Sequence, residues 1–462
     1  MKMKKISFLV ILGLLVSMSA CNKFVEDHDI SPNSPSTATP ALLLSNGQLA
    51  VYATVHGQLA RTSNILTQSL NGTDFQMINV DEYTILEGDN TNEWQTIYNE
   101  GLDAINDLIN NHGDGNPYYS AMGKILKAQL LGIATDFWGD VPASEAGMGL
   151  NGPEFLNPKY DAQQDIFTYI GNLLTEAKTS LAAAPGDNKN VPGGDDLIGG
   201  GDVAVWQNYA SMLQARYAMR LTKKDAAAAS AGALTALSNV TMASNADNVV
   251  GTYGTSGNEN NPWFAFENER GGYIRCGANM VDMMKTDSDP RLAFYALPDT
   301  GGIMRGSIVG ENDGTASPVG PYLTGTTAPI VTYVEAKFIE AEAKFRTGDA
   351  PGAAAAHNAA ILASVEAVTG DTASAAFEAA VASETGGSIT LEKIMTQKYL
   401  AMFGQIEVWM DWRRTDFPTI AANPNGKVSA IPRRLPTPFE ERLYNTSAKV
   451  VQDILTPVWW DE

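Results

Sequence analysis

The stretch of the chain between residues 261 and 275 combines aromatic and polar side chains in a way that suits one kind of chemistry. The flat ring of Trp, Tyr or Phe stacks on the apolar C–H face of a sugar, while neighbouring polar side chains form hydrogen bonds with the sugar hydroxyls. Four aromatic residues are interleaved here with amide, carboxylate and guanidinium groups: Trp263, Phe264, Phe266 and Tyr273 alternate with Asn261, Glu267, Asn268, Arg270 and Arg275. We therefore predict ligand contacts for Trp263, Phe264, Tyr273 and Arg275. For Trp263 the alternative is a place in the hydrophobic core.

A second candidate surface lies nearer the N-terminus, in a polar stretch that precedes the first clear helical pattern. Asp74 and Phe75 are neighbours there, and Tyr83 follows a few residues later. A ring beside a carboxylate offers the same combination of stacking and hydrogen bonding. Asp74 and Phe75 therefore join the predicted ligand contacts, with Tyr83 as a companion ring.

Signals for catalysis are weak throughout the sequence. Residues 147–152 spell Gly-x-Gly-x-x-Gly, but they precede Pro153 and follow no strand pattern, so the context of a dinucleotide site is missing. No Gly-Lys-Ser/Thr phosphate loop, nucleophile elbow or His-Glu-x-x-His sequence occurs. The 52 acidic residues still allow a glycosidase pair whose carboxylates meet only in the fold. We expect no catalytic residue and no enzyme, with a surface-anchored glycan-degrading enzyme as the alternative.

The acidic loop at residues 187–202 is the segment that raises the question of a metal ion. Asp195, Asp196 and Asp202 carry the oxygen ligands that Ca²⁺ prefers, although their spacing differs from that of a regular calcium loop. The other interpretation is a solvated loop in which Asp202 caps the following helix. We predict no cofactor and no metal site, with Ca²⁺ as the alternative.

The first 21 residues have the features of a lipoprotein export signal. Three lysines form a basic start, residues 6–20 are uncharged and mostly apolar, and two small residues precede Cys21. This pattern predicts removal of residues 1–20 and acylation of Cys21, with an ordinary signal peptide as the alternative. Residues 21–39 are rich in Ser, Pro, Asn and Asp, which predicts a flexible tether. The formal charge of −21 argues against nucleic acid as a partner.

Amphipathic helical patterns dominate residues 40–462, which we predict to be a single domain. Apolar side chains recur at spacings of three and four in helix-pair units near 94–137, 162–221 and 334–412. Within the last unit, Ala341, Gly348, Ala353 and Ala360 follow the small-residue spacing of a tetratricopeptide helix pair. Residues 238–329 are instead rich in Gly, Asn, Pro and Thr, which predicts a loop-rich insert with short strands at most. The predicted fold is mainly α, with several irregular helix pairs sharing one core and a loop-rich half that would carry the ligand site.

The C-terminal third contains two adjacent arginines, Arg413 and Arg414, beside Asp411 and Asp416. Arginine and carboxylate groups at the end of a buried helix commonly form ion pairs that hold a fold together. The tryptophans of the same segment are three residues apart on one helical face, which favours core packing. We interpret this cluster as structural.

A set of short motifs, in one order along the chain, carries a family resemblance. The motifs are residues 136–142 (DFWGDVP), 200–202 (GGD) followed by Trp206 and Arg216, 261–263 (NPW), 289–292 (DPRL), 397–403 (QKYLAMF), 407–418 (EVWMDWRRTDFP) and 431–436 (IPRRLP). Together they resemble the motifs of SusD/RagB-family outer-membrane lipoproteins and span most of the mature chain.

The resemblance implies a right-handed superhelix of tetratricopeptide-like helix pairs and an acylated protein on the outer face of the outer membrane. It further implies a nutrient-binding protein that captures a glycan or a peptide and delivers it to a SusC-like, TonB-dependent transporter. The alternatives from other classes are the surface enzyme, which would release product, and an adhesive helical solenoid, which would bind a protein and no small ligand.

Overall fold

The computed structural model describes residues 38–149 and 152–462 of the chain. Cys21, the export signal and the tether up to residue 37 lie outside the described residues, as do residues 150–151. Helices form most of the described chain and four short strands accompany them. The predicted mainly-α class is therefore confirmed. No helix within residues 38–149 or 152–462 is both long enough and apolar enough to span a bilayer.

The secondary-structure elements are named here in chain order. The helices are α1 (Pro40–His56), α2 (Gln58–Leu66), α3 (Phe75–Asp81), α4 (Thr91–Gln95), α5 (Asp103–His112), α6 (Pro117–Trp138), α7 (Gln163–Leu181), α8 (Val203–Arg220), α9 (Ala226–Leu237), α10 (Pro262–Arg270), α11 (Ala278–Thr286), α12 (Leu292–Tyr295), α13 (Pro321–Thr324), α14 (Tyr333–Arg346), α15 (Ala350–Thr369), α16 (Ala375–Val381), α17 (Leu391–Ala401), α18 (Glu407–Thr415) and α19 (Phe439–Tyr444). The strands are β1 (Leu70–Gly72), β2 (Val249–Thr252), β3 (Ile274–Cys276) and β4 (Thr327–Val331).

Helices that follow one another in sequence pack against each other in pairs. The pairs α6–α7, α8–α9 and α14–α15 make the most extensive helix contacts of the fold. Between α14 and α15, the small side chains Ala341, Ala353 and Ala360 are fully buried, which lets the two helices approach closely. Gly348 lies in the turn between them with a φ of +88°, a conformation that favours glycine. The tetratricopeptide-like unit predicted near the C-terminus is confirmed.

Helix α1, the first helix of the described residues, is missing from the sequence-based expectations. Its buried residues include Leu44, Val51, Tyr52 and His56. It packs against α5, α6 and the π-helical turn Thr96–Leu102. Its exposed face, residues 42, 46, 49 and 53, consists of two leucines, an alanine and one asparagine. Because this exposed face is mostly apolar, the helix lacks the contrast between a polar and an apolar face by which helices are recognised in a sequence.

Residues 238–329 contain more helix than the sequence predicts. Helices α10 to α13 lie there, so the expectation of loops with short strands at most is wrong. Asn261 caps α10 by accepting a hydrogen bond from the Trp263 N–H at 3.0 Å, and Pro262 occupies the first helical position. None of the four helices exceeds nine residues. An apolar pattern with a period of 3.6 scarcely repeats over so few positions.

Buried ion pairs join α18 to the body of the molecule. Arg414 contacts both carboxylate oxygens of Glu342, and its Nη2 atom lies 2.7 Å from Asp411 Oδ1. The guanidinium of Arg413 lies over the Trp409 ring, with 4.0 Å between its central carbon and the ring centroid. Both arginines are buried. The structural interpretation of this cluster is confirmed.

Candidate functional site

The two candidate surfaces of the sequence are brought together by a two-stranded ribbon. Strands β1 and β3 pair antiparallel, with Asn71 opposite Arg275. The pairing continues past β1, because the Thr73 N–H donates to the Tyr273 carbonyl at 2.8 Å and the Thr73 hydroxyl donates to the Gly272 carbonyl at 2.7 Å. Phe75 and Tyr273, which are far apart in sequence, thereby become neighbours.

The rings of Phe75 and Tyr273 stack on each other. Their centroids are 4.9 Å apart and their planes differ by 20°. Phe75 is 65% exposed and Tyr273 is half-buried. We call this pair the aromatic platform. An exposed stacked pair of this kind offers an apolar face to a ligand from solvent.

Asp74 fixes the backbone that carries the exposed ring. Its carboxylate caps α3 by accepting a hydrogen bond from the Phe75 N–H at 2.9 Å. Phe75 itself has a φ of +41°, a region that costs a non-glycine residue on the order of 1–3 kcal/mol. Such backbone strain is found more often at functional sites than elsewhere. Asp74 therefore orients the platform, and its carboxylate, already used as a cap, still faces solvent.

Buried side chains support the platform from below. The ring of Phe266 meets that of Tyr273 edge to face, with centroids 6.2 Å apart. The guanidinium carbon of Arg61, on α2, lies 4.4 Å from the Phe266 ring centroid. These contacts connect Arg61 on α2, through Phe266, to Tyr273 of the platform. Packing therefore holds the platform in addition to the ribbon.

Polar groups with few partners surround the supporting ring. Among the described residues, the Arg61 Nε and Nη1 atoms and the Glu267 Oε1 atom are buried without a hydrogen-bond partner. Burial raises the pKa of Glu267 to about 7, although the charges of Arg275 and Arg61 oppose the shift. Burial also lowers the pKa of Arg61 to about 10. Buried ionisable groups with shifted pKa values are typical of binding sites.

The raised pKa of Glu267 predicts a specific pH dependence of stability. The folded protein binds the proton of the Glu267 carboxyl group more tightly than the unfolded chain does. The protonated carboxyl group therefore contributes to the free energy of unfolding below pH 4, and this contribution is lost as the pH rises through 7. Glu267→Gln should therefore match the wild type near pH 4 and exceed its free energy of unfolding by about 3 kcal/mol at pH 8. Urea denaturation of both proteins from pH 4 to 8 measures the difference. Parallel curves would contradict the prediction.

Arg275 lies beside the platform but is held by the backbone. Its Nε atom donates to the Gly314 carbonyl at 2.9 Å, and its Nη1 atom donates to the carbonyl of Ile274 at 3.0 Å. The side chain is half-buried. It therefore braces the loop around residue 314, and its predicted contact with a ligand stays a prediction.

Three of the aromatic residues considered from the sequence lie away from the platform. Trp263 is 1% exposed, so its ring packs in the core and faces no ligand in this conformation, which corrects its assignment as a contact. Tyr83 is buried too, and its hydroxyl accepts from the Asn423 N–H at 2.8 Å. Phe264 is 41% exposed, but it lies about 200° around α10 from Phe266, the ring that supports the platform. Its role stays a prediction.

Arg61 and Thr73 belong to the site although the sequence does not single them out. Arg61 lies in a short helix whose apolar spacing is ordinary, and Thr73 follows a strand of three residues. A strand of that length shows no alternation of polar and apolar side chains. The only local signal is the Asn-Gly-Thr-Asp turn sequence at residues 71–74.

The carboxylates of the acidic loop are engaged with protein donors. Asp196 accepts hydrogen bonds from the backbone N–H groups of residues 198, 199 and 201 and from the Trp206 indole N–H at 2.8 Å. Asp202 caps α8 through the Ala204 N–H at 2.8 Å, as expected. In the described part of the chain, no group of three or more His, Cys, Asp or Glu side chains is arranged to hold a metal ion. The absence of a metal site stays a prediction, with Ca²⁺ as its alternative.

The architecture of the chain matches that of a known family. Tetratricopeptide-like helix pairs pack around a large core, a second and smaller core lies among α14 to α17, and a short ribbon presents the exposed aromatic platform. The expectation that all helix pairs share one core is therefore corrected. The family model described as "Starch-binding associating with outer membrane" matches residues 32–438 of this chain. The chain belongs to this SusD-like family, and the resemblance to SusD/RagB proteins is confirmed.

Solved structures of similar proteins agree with the fold. A chitin-binding protein is 25% identical with a TM-score of 0.75, the match covering 92% of this chain and 100% of that one. A chitin-binding SusD homologue from Flavobacterium johnsoniae is 22% identical with a TM-score of 0.78, covering 91% and 98%. A SusD/RagB-family protein from Bacteroides thetaiotaomicron is 22% identical with a TM-score of 0.77, covering 92% and 99%. No protein of curated function matches the chain significantly.

Proposed function

We propose that this protein binds glycans at the aromatic platform, on the outer face of the outer membrane, and delivers them to a SusC-like, TonB-dependent transporter. The observation that carries the proposal is the 65% exposed ring of Phe75, stacked on Tyr273 and held by a capped, strained backbone. Membership of a family described as starch-binding and associated with the outer membrane supports it. Cys21 would carry the acyl chains that tether the protein.

The ligand class follows from the chemistry of the platform. Two stacked rings offer an apolar surface, which suits the C–H face of a neutral sugar. Oligosaccharides from chitin and starch are the first ligands to test, because two similar structures are named as chitin-binding and the family description names starch. A peptide ligand is the alternative. Because each stacked ring contributes roughly 0.5–1.5 kcal/mol beyond its area, we expect affinities on the order of micromolar to millimolar.

In this proposal the protein binds its ligand without cleaving it. Among the described residues, the carboxyl groups of Asp81 and Glu267 each have a pKa raised to about 7 by burial, but raised pKa values alone do not make a catalytic pair. A surface glycan-degrading enzyme would release new reducing ends from a bound oligosaccharide. The proposed protein should bind the same oligosaccharide and leave it intact.

The anchor and the transporter are tested together in cells. The tagged protein is recovered from mildly solubilised outer membranes, and mass spectrometry identifies what accompanies it in near-equal amount. A TonB-dependent barrel is the expected partner. Recovery of the protein without a barrel would contradict the delivery role.

Replacing Cys21 with alanine should abolish fatty-acid labelling and release the protein from the membrane fraction, because a single acylated residue is its only proposed attachment. The matched control is Cys276→Ala, which removes the buried thiol of β3 and should leave both labelling and membrane attachment unchanged. Labelling with a clickable fatty acid, followed by fractionation, measures both. Equal labelling of the Cys21→Ala variant would exclude Cys21 as the acylation site.

A further inference from the structure

A cavity of about 460 Å³ opens on a different part of the molecule from the aromatic platform. It lies between the β2–β4 ribbon, the 3-10 turn Asn245–Asp247 and the helix α15. It shares no lining residue with the platform. The volume is within the range of about 300–1,000 Å³ that small-molecule sites occupy.

Among the described residues that line this cavity, several are polar and none carries a charged side chain. Its amide and hydroxyl groups come from six residues: Asn245, Asn248, Thr327, Thr332, Ser364 and Gln405. The remaining lining is apolar apart from Tyr322, whose ring packs against that of Tyr295 with centroids 5.0 Å apart. A charged ligand would find no oppositely charged side chain in the described lining itself, and burying an unpaired charge is costly. The cavity therefore suits a neutral ligand with many hydroxyl groups.

The hydrogen bonds around the cavity leave donors and acceptors free for such a ligand. Asn248 Oδ1 accepts from the Tyr333 N–H at 2.8 Å, so its Nδ2 donor remains for another partner. Ser364 Oγ accepts from Arg291 Nη1 at 2.8 Å, which leaves the hydroxyl proton to donate. Asn245 Oδ1 is buried without a partner among the described residues. A ring hydroxyl both donates and accepts, so it matches this mixture.

We infer that this cavity is a second ligand site, which binds one or two neutral sugar rings against Tyr322 with hydrogen bonds to Asn245, Asn248 and Ser364. This second site is separate from the one proposed at the platform, because a glycan bound at the platform would leave the cavity free for another ligand. The two sites lie on different elements, so each is open to variants that do not touch the other.

The test uses hydrogen-exchange mass spectrometry on the full-length protein in mild detergent, with maltose and with chitobiose as probes. Peptides covering residues 245–250 and 325–332 report on the cavity, and peptides covering residues 70–76 and 271–276 report on the platform. With at least one of the two sugars, we expect exchange in the cavity peptides to slow severalfold in the wild type and in Phe75→Ala.

Ala367→Trp fills the cavity from α15, and Ala246→Trp fills it from the 3-10 turn Asn245–Asp247; both alanines are exposed lining residues. Each variant should abolish the protection of the cavity peptides. The matched control is Ala376→Trp, the same substitution at an exposed helical alanine outside the cavity, which should leave that protection unchanged. Thermal melting confirms that each variant is folded, and the second filling variant replaces the first if one fails.

The outcomes separate this inference from the proposed function. Protection of the platform peptides alone overturns the second site and leaves the platform standing. Protection of the cavity peptides alone supports the second site and contradicts glycan binding at the platform. If neither set of peptides is protected by either sugar, both sites are overturned. If the cavity peptides stay protected in both filled variants, the second site alone is overturned.

Discussion

Replacing Arg414 with alanine is expected to lower the free energy of unfolding by about 3–5 kcal/mol. Arg414 pairs with Glu342 and Asp411 where all three side chains are buried. Burial alone would raise the pKa of Asp411. The charges of Lys398 and Arg414 lower it by more than burial raises it, so the pKa lies below its usual range. Without the guanidinium, two carboxylates would remain buried with less compensation. Urea denaturation at pH 7 measures the loss.

The control for this variant is Arg442→Ala. Arg442 pairs with Glu87 at 2.6 Å on the surface, where solvent weakens the attraction, so this substitution should leave the free energy of unfolding nearly unchanged. The contrast also tests the structural interpretation of the C-terminal arginines. If Arg414→Ala retained full stability but lost glycan binding, the cluster would belong to the binding site instead of the core.

The double substitution Phe75→Ala and Tyr273→Ala should weaken glycan binding by roughly tenfold or more. Each ring contributes on the order of 0.5–1.5 kcal/mol to stacking, and 1.4 kcal/mol corresponds to a factor of ten in affinity. The fold should persist, because Phe75 is 65% exposed and the β1–β3 hydrogen bonds are made by the backbone. Isothermal titration with the best-bound oligosaccharide measures the change.

The matched control removes an exposed aromatic ring elsewhere. Tyr444 is 71% exposed at the end of α19, a helix that packs near residues 158 and 160 and carries no platform residue. Tyr444→Ala should bind the oligosaccharide as the wild type does. If Tyr444→Ala weakened oligosaccharide binding as much as the double substitution does, the loss would reflect a general effect on the surface. If the double variant bound as the wild type does, the platform would not be the binding site.

Features that depend on neighbours in sequence could be predicted in this chain. The spacing of Ala341, Gly348, Ala353 and Ala360 predicts a close helix pair, and the structure buries the three alanines between α14 and α15. The Asp202 cap also follows from local sequence, because the side chain bonds to a backbone group two residues away. Such short-range chemistry leaves a direct trace in the order of residues.

The composition of the site depends on contacts between distant parts of the chain. Phe75 and Tyr273 both appear as candidates in the sequence, but only the pairing of two three-residue strands places them together. The sequence around Trp263 does not indicate which face of this nine-residue helix is buried. In the structure the Trp263 ring is buried and the Phe264 ring is exposed. Arg61 carries no local signal, since its importance comes from the Phe266 ring it covers.

The measurement that tests the central claim most directly is a titration of the purified mature protein with neutral oligosaccharides from chitin and starch, with the free reducing ends assayed in the same samples. The account predicts saturable binding of at least one of them, with micromolar to millimolar affinity and no increase in reducing ends. Absence of binding to every neutral oligosaccharide, or binding accompanied by new reducing ends, would contradict it.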